Sequence, residues 1–289
     1  MKPNLSRIIA GTMTWGNWGK NLNTKEFIEL IKVCLKSDIT TFDHADIYGG
    51  YTTEKAFGKA FIESGIQRDQ IQLITKCGIK YVTESRNYGI KHYDYSAEYI
   101  IWSVENSLKN LKTDYLDVLL LHRPSPLMEA DEIAKAIDKL KNQGKLRSFG
   151  VSNFTSSQTE LIRQKIAVDF NQIQFSASQL DAMTDGNLDY MQQHQITPMA
   201  WNPLGSVFRE KNEQTIRLNL LLENLSQKYD VEPDTLLLAW IMRHPSQILP
   251  VIGTTNPERI KNAVLVSSLI LELEDWFSIW VASMGNKVP

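Results

Sequence analysis

Cysteine is nearly missing from the chain. Cys34 and Cys77 are the only two, and their spacing makes neither a disulfide framework nor a zinc site. An excess of charge of one sign is missing too. The 31 Lys and Arg are offset by 33 Asp and Glu, a formal net charge of −2, so no basic field draws in nucleic acid or an anionic lipid surface. No apolar run approaches the roughly 20 residues of a membrane span. Met1–Arg7 holds no apolar run of the kind a signal peptide needs, so a reducing cytoplasm is the expected location. No cluster of His, Cys, Asp and Glu stands at metal-ligand spacing, and no metal is expected. The sequence is compatible with a monomer or a weak dimer.

What is present is an ordinary globular composition, with 43% hydrophobic and 22% charged residues. A chain of 289 residues can bury a large core without staples, and no linker divides it, so one domain over 1–289 is expected. Short apolar runs recur at Arg7–Thr12, Thr40–His44, Ile71–Cys77, Val118–His122, Ser148–Val151, Asn171–Phe175, Pro198–Trp201 and Ile248–Ile252. Continuous apolar runs of this length suit parallel strands buried on both faces. Amphipathic stretches lie between them. Phe27, Ile31, Cys34 and Leu35 share a helical face, as do Ile101, Val104, Leu108 and Leu111, with Ser96 as an N-cap for the second helix. Eight strand–helix units with right-handed crossovers predict an α/β fold, the (β/α)8 TIM barrel. The rival, an open doubly wound sheet, calls for GxGxxG in its first turn. That turn reads Gly11-Thr12-Met13-Thr14-Trp15-Gly16.

In a barrel of this type the chemistry stands at the C-terminal ends of the strands. The second run ends in Asp43 and leads to Tyr48, the third ends in Lys76, and the fourth in His122. Each has an ordinary explanation alone: a cap, a packed ring, a snorkelling chain, a surface imidazole. Together they form an acid–base set. An unperturbed Tyr, with a pKa of about 10, is a poor acid at neutral pH. A neighbouring Lys⁺ stabilises the phenolate and is expected to lower that value. Asp43 would keep the Lys charged, and His122 would orient a substrate oxygen. The segment Ile79–Tyr95, with Tyr81, Tyr88, Tyr93 and Tyr95, is long for a βα loop. With Trp15, it is expected to shape the pocket.

The run Asp43-His44-Ala45-Asp46-Ile47-Tyr48-Gly49-Gly50-Tyr51, then Thr75-Lys76-Cys77-Gly78, then Leu119-Leu120-Leu121-His122-Arg123-Pro124, resembles the aldo-keto reductase superfamily. Its bacterial YdhF-like oxidoreductase branch is the most similar. The likeness runs from Gly11-Thr12 to Val288-Pro289. It implies Tyr48 as general acid, Lys76 and Asp43 tuning it, and His122 positioning the carbonyl. It also implies NADP(H) as cofactor. Gly150-Val151-Ser152-Asn153-Phe154 matches the family's GVSNF, whose Ser and Asn hold the nicotinamide carboxamide, and Gln172 matches a further carboxamide contact. Trp201 stands for the Tyr that stacks on the nicotinamide, and Asn202 for a Ser near the pyrophosphate, followed by Leu204 and Gly205. Gly11 and Thr12 are implied contacts as well. Gly253, Thr254 and Arg259 fall in the loop for the adenosine 2′-phosphate, with Arg259 its ligand and Asn256 a helix cap. Gly253 replaces a Lys, and Asn262-Ala263 replace Glu-Asn, so a modest preference for NADP over NAD is expected.

The resulting expectation is reduction of a small aldehyde or ketone. Two other classes remain as alternatives. One is an NADP(H)-binding regulatory partner with little turnover. The other is a barrel hydrolase using Asp43 and Asp46, which requires two carboxyls facing each other across a bond.

Overall fold

The computed structural model describes residues 2–288. Eight parallel strands close into a barrel: β1 Ile9–Gly11, β2 Thr41–Asp43, β3 Gln72–Cys77, β4 Leu116–Leu121, β5 Leu146–Ser152, β6 Phe170–Gln174, β7 Thr197–Trp201 and β8 Leu249–Ile252. Each strand pairs with its neighbours in sequence, and β1 closes on β8 through Ile9↔Val251 and Ala10↔Ile252. All eight expected strands are there, most of them shifted by one or two residues at an end.

Helices cover the outside: α1 Thr24–Lys36, α2 Thr53–Ser64, α3 Ala97–Leu111, α4 Ala130–Asn142, α5 Ser156–Arg163, α6 Asn187–Gln193, α7 Glu213–Tyr229, α8 Pro233–Met242, α9 Pro257–Leu265 and α10 Leu273–Met284. Their starts follow local chemistry. Asn23 and Glu26 form a reciprocal capping box on α1, and the Ser96 hydroxyl accepts from Tyr99 N at the start of α3. The buried face of α1 is Phe27, Leu30, Ile31 and Cys34, with Leu35 only partly covered.

Strand parity decides where the site lies. Successive side chains point to opposite faces of a strand. Ile9, Ile74, Val118, Leu120, Phe170, Met199, Leu249 and Val251 form a small core of their own inside the barrel. The alternate residues, such as Phe42, Leu73, Leu119, Phe149 and Val151, join the larger core under the helices. Two residues beyond an interior position, the side chain points inward again, one layer nearer the C-terminal mouth. Gly11, Lys76, His122, Gln172, Trp201 and Gly253 each stand two residues past a member of the inner core. The barrel therefore gathers on its axis residues that the sequence scatters over its whole length.

The long segment after β3 is ordered as a small antiparallel hairpin, with Ile79 opposite Tyr93 and Lys80 opposite His92. Gly78 introduces it with φ +104°, and a Cβ there would lie 1.9 Å from the Tyr95 ring. No other residue type fits that corner.

Candidate active site

The four residues expected to act together converge at the mouth. Lys76 Nζ lies 2.7 Å from each Asp43 carboxylate oxygen, 2.9 Å from His44 O and 3.1 Å from the Tyr48 hydroxyl. Lys76 and Asp43 are almost wholly buried, and Tyr48 is 8% exposed. The His122 ring meets that of Tyr48 edge-on, with centroids 6.1 Å apart. Tyr48 opens a single helical turn in which Gly49 and Gly50 adopt φ +61° and +67°, a reversal that only glycine makes at little cost.

The electrostatics differ in one respect from the expectation. Burial pushes Tyr48 above the usual phenol value, and the Lys76 ammonium pulls it only part of the way back, with Asp43 opposing that pull. Lys76 thus limits the rise; it does not bring the phenol below its usual range. Tyr48 holds its proton throughout the neutral range. Burial alone would lower Lys76, but Asp43 and Tyr48 together hold it above the usual ammonium value. Burial and the nearby Lys76 push His122 far below the imidazole range, with Arg123 and Lys91 adding to this. The neutral imidazole can therefore donate or accept a hydrogen bond. A stable proton on a phenol, beside a fixed cation and a neutral imidazole, suits delivery of that proton to an oxygen that gains negative charge.

Four of the residues expected to contact a cofactor, Trp201, Asn153, Ser152 and Gln172, are joined in one chain of hydrogen bonds that ends on Asp43. Trp201 Nε1 donates to Asn153 Oδ1 at 2.8 Å, and Asn153 Nδ2 to Ser152 Oγ at 2.8 Å. Ser152 Oγ donates to Gln172 O at 3.0 Å, and Gln172 Nε2 to Asp43 Oδ1 at 2.9 Å. Asn153 and Asn202, which directly follow β5 and β7, take φ of +61° and +53°, a conformation that Asn tolerates better than most residues. Asn202 Oδ1 accepts from Arg209, which also donates to Gly205 O. Leu204 stands half-buried in the same turn.

On the far side of the mouth, Gly11 ends β1. Thr12 is buried, with its hydroxyl donating to Asp43 O at 3.0 Å and lying 2.9 Å from His44 Nδ1. That hydroxyl is engaged within the protein. Gly253 accepts from Thr14 through its carbonyl, and a Cβ at Gly253 would meet nothing within 4 Å. Thr254 Oγ1 accepts from Asn256 N, and Asn256 caps α9 by accepting from Glu258 N. Arg259 sits exposed in the first turn of that helix.

Two expectations are corrected. Trp15 does not shape the mouth. It is fully buried among Phe27, Phe42 and Phe57. Trp18, 40% exposed and near both Tyr48 and Tyr81, takes that place. The hydrolase alternative also falls away. Asp46 turns outward and accepts from Ser103 Oγ on α3 at 3.0 Å, so it does not pair with Asp43 across the mouth. Two cations at the mouth have no role in the sequence motifs: Arg123, whose guanidinium lies 5.6 Å from the Trp201 ring centroid and whose place beside His122 is a visible signal, and Arg209, for which the sequence holds none. Among the described residues, no group of His, Cys, Asp and Glu could hold a metal ion, and no helix is long and apolar enough to cross a membrane.

Comparison with known proteins gives the family to which this barrel belongs. The family model described as "Aldo/keto reductase family" matches residues 7–279. The chain is 42% identical to the uncharacterized oxidoreductase YcsN of Bacillus subtilis, covering 98% of this chain and 96% of that one. It is 39% identical to the oxidoreductase YdhF of Escherichia coli, over 99% and 96%. It is 37% identical to a 6-dehydroglucose reductase of Agrobacterium fabrum, over 99% and 97%. Among solved structures, an aldo/keto reductase from Klebsiella pneumoniae in complex with NADP and acetate superimposes with a TM-score of 0.80 at 24% identity, over 95% and 90%.

Proposed function

The chain belongs to the aldo/keto reductase family, and on that premise we propose that it reduces a small aldehyde or ketone to the alcohol, with NADPH as reductant and Tyr48 as the acid. Bound NADPH supplies the hydride that reaches the carbonyl carbon. The chain's own residues do the rest. Tyr48 passes its hydroxyl proton to the carbonyl oxygen as that oxygen becomes an alkoxide. Lys76, 3.1 Å away, stabilises the phenolate left behind. Asp43 holds Lys76 charged and in place. His122, neutral at the rim, positions the oxygen.

The residues present fit a nicotinamide dinucleotide. Gln172 Oε1 accepts from no group among the described residues, whereas its amide nitrogen is engaged. Ser152 and Asn153 stand beside it, and Trp201 offers an aromatic face. Arg209 and Arg259 supply cations for phosphates. The buried cysteines, Cys34 and Cys77, form no disulfide, which agrees with the reducing cytoplasm expected for the protein, and on this reading a single barrel domain carries the whole reaction.

The observation that carries this reading is the buried contact series Asp43–Lys76–Tyr48 beside His122 at the barrel mouth. The test is single-turnover oxidation of bound NADPH by a panel of aldehydes. 6-Dehydroglucose heads the panel because a relative is named for its reduction. Tyr48→Phe should slow the step about a hundredfold or more, the size of lost general acid catalysis, with NADPH binding little changed. Near-wild-type oxidation in Tyr48→Phe would refute the acid assignment. NADPH that binds but persists in the presence of every aldehyde would favour a regulatory, cofactor-sensing protein.

A further inference from the structure

Asp43 touches two groups, not one. Besides its ion pair with Lys76, its Oδ1 accepts from Gln172 Nε2 at 2.9 Å, across the barrel axis and 129 residues away in sequence. Gln172 is 2% exposed, and its other near neighbour for the amide nitrogen is the Met199 sulfur at 3.9 Å. A Gln side chain has one donor end and one acceptor end. A carboxylate in an ion pair only accepts. The amide nitrogen of Gln172 must therefore face Asp43, since turning it around would set two buried oxygens against each other and leave two donor hydrogens unmet. The orientation follows from chemistry alone. It leaves Oε1, a pure acceptor, without a hydrogen-bond partner among the described residues.

We propose that Asp43, beyond pairing with Lys76, fixes which way round the Gln172 amide stands and so makes this site select a carboxamide headgroup over a carboxylate one. The inference rests on the reading above, in which Gln172 receives the nicotinamide ring's substituent. A carboxamide brings N–H donors to Oε1. A carboxylate in the same place brings only oxygens, and Oε1 has no proton to offer. The same aspartate thus sets both the charge beside the acid and the polarity of the cofactor contact. Asp43 acts on the dinucleotide through Gln172, as a positioning residue.

The experiment compares binding of NADP⁺ with that of its nicotinic acid analogue, which carries a carboxylate in place of the carboxamide. Dissociation constants are read by calorimetry, without turnover, for wild type, Gln172→Met, Asp43→Asn and the double variant. Wild type should bind NADP⁺ at least about tenfold more tightly than the acid, the cost of facing a buried acceptor with an acceptor. Gln172→Met, close in shape but with no polar end, should narrow that ratio by about tenfold while Asp43 remains to repel the acid. In the Asp43→Asn background, where the neighbour can donate as well as accept, Gln172→Met should no longer change the ratio. Asp43→Asn alone should also narrow the ratio, but it removes a charge that repels the acid directly, so the effect of the Gln172 substitution compared between the two backgrounds decides, and Gln172→Leu serves in the same cycle if Gln172→Met folds poorly. An unchanged ratio in Gln172→Met, or the same narrowing in both backgrounds, would overturn the proposal. Wild type that binds neither dinucleotide would instead overturn the assignment of the cofactor, and with it this inference.

Discussion

Lys76 meets four oxygen atoms with one ammonium and is 1% exposed. Removing one member of a buried ion pair leaves an uncompensated charge, at a cost of about 3–5 kcal/mol. Lys76→Met should therefore lose stability as well as activity, because Asp43 would be left buried without its partner. The double variant Lys76→Met/Asp43→Asn should recover most of that stability and none of the turnover. Urea denaturation beside a turnover assay separates the two. If the double variant is no more stable than Lys76→Met alone, the stranded charge is not what destabilises the single one. A pH profile adds a sign. Tyr48 must carry its proton, and burial raises it above 10.0. Reduction should thus persist to the alkaline edge of the protein's stability, without a basic limb near neutrality.

At the level of elements, the loop after β8 and the start of α9 offer a test of cofactor choice. Gly253 has open space where a Cβ would stand, with an ordinary backbone conformation, and Arg259 lies exposed on the first turn of a capped helix. A helix N-terminus and a guanidinium both favour a phosphate. Gly253→Lys should fold normally and widen the preference for NADPH over NADH, whereas Arg259→Ala should weaken NADPH by about ten- to a hundredfold, a charge-assisted contact of roughly 1.5–3 kcal/mol. Dissociation constants for both dinucleotides check this, and equal losses for NADPH and NADH in Arg259→Ala would reduce the residue to a structural part. The strands were legible in the sequence because buried parallel strands are continuous apolar runs, and the site because its polar residues interrupt those runs at one end. Turn conformation was not legible. Trp15 and Trp18 lie three positions apart in one turn, and only the path of that turn puts the first in the core and the second at the mouth. The Gln172–Asp43 contact was hidden for another reason: nothing local to either residue encodes a partner on the opposite wall of a barrel.

Across the whole molecule, the buried acids not used by the proposed mechanism shape the response to pH. Asp46 and Glu54 lie between the barrel and helices α2 and α3, where burial raises both above the carboxylate range, with Glu54 raising Asp46 further. A raised carboxyl contributes its stability below the unfolded value, about 4, and that contribution is lost as pH rises toward the folded value. His44 has the opposite sign. Burial, then Lys76, lowers it to about 3, so the folded state loses stability as pH falls below about 6.5, by up to about 1.4 kcal/mol per unit. Between about pH 4.5 and 6.5 the two effects should partly cancel in the wild type. Asp46→Asn removes one of the two raised carboxyls, so its stability should decline more steeply than that of wild type on acidification through this range, as followed by urea unfolding. Parallel curves would show that Asp46 ionises alike in the folded and unfolded chain. The Tyr95 hydroxyl accepts from Arg123 N at 3.1 Å and donates to Arg123 O at 2.5 Å, while its ring fills the corner left by Gly78. The segment is thus latched at Tyr95 to the turn after β4 that bears His122, and seated at Gly78. A donor hairpin transplanted into this scaffold would inherit the catalytic register only if its glycine and its tyrosine travelled together, which makes those two positions the natural seams for grafting a new pocket wall.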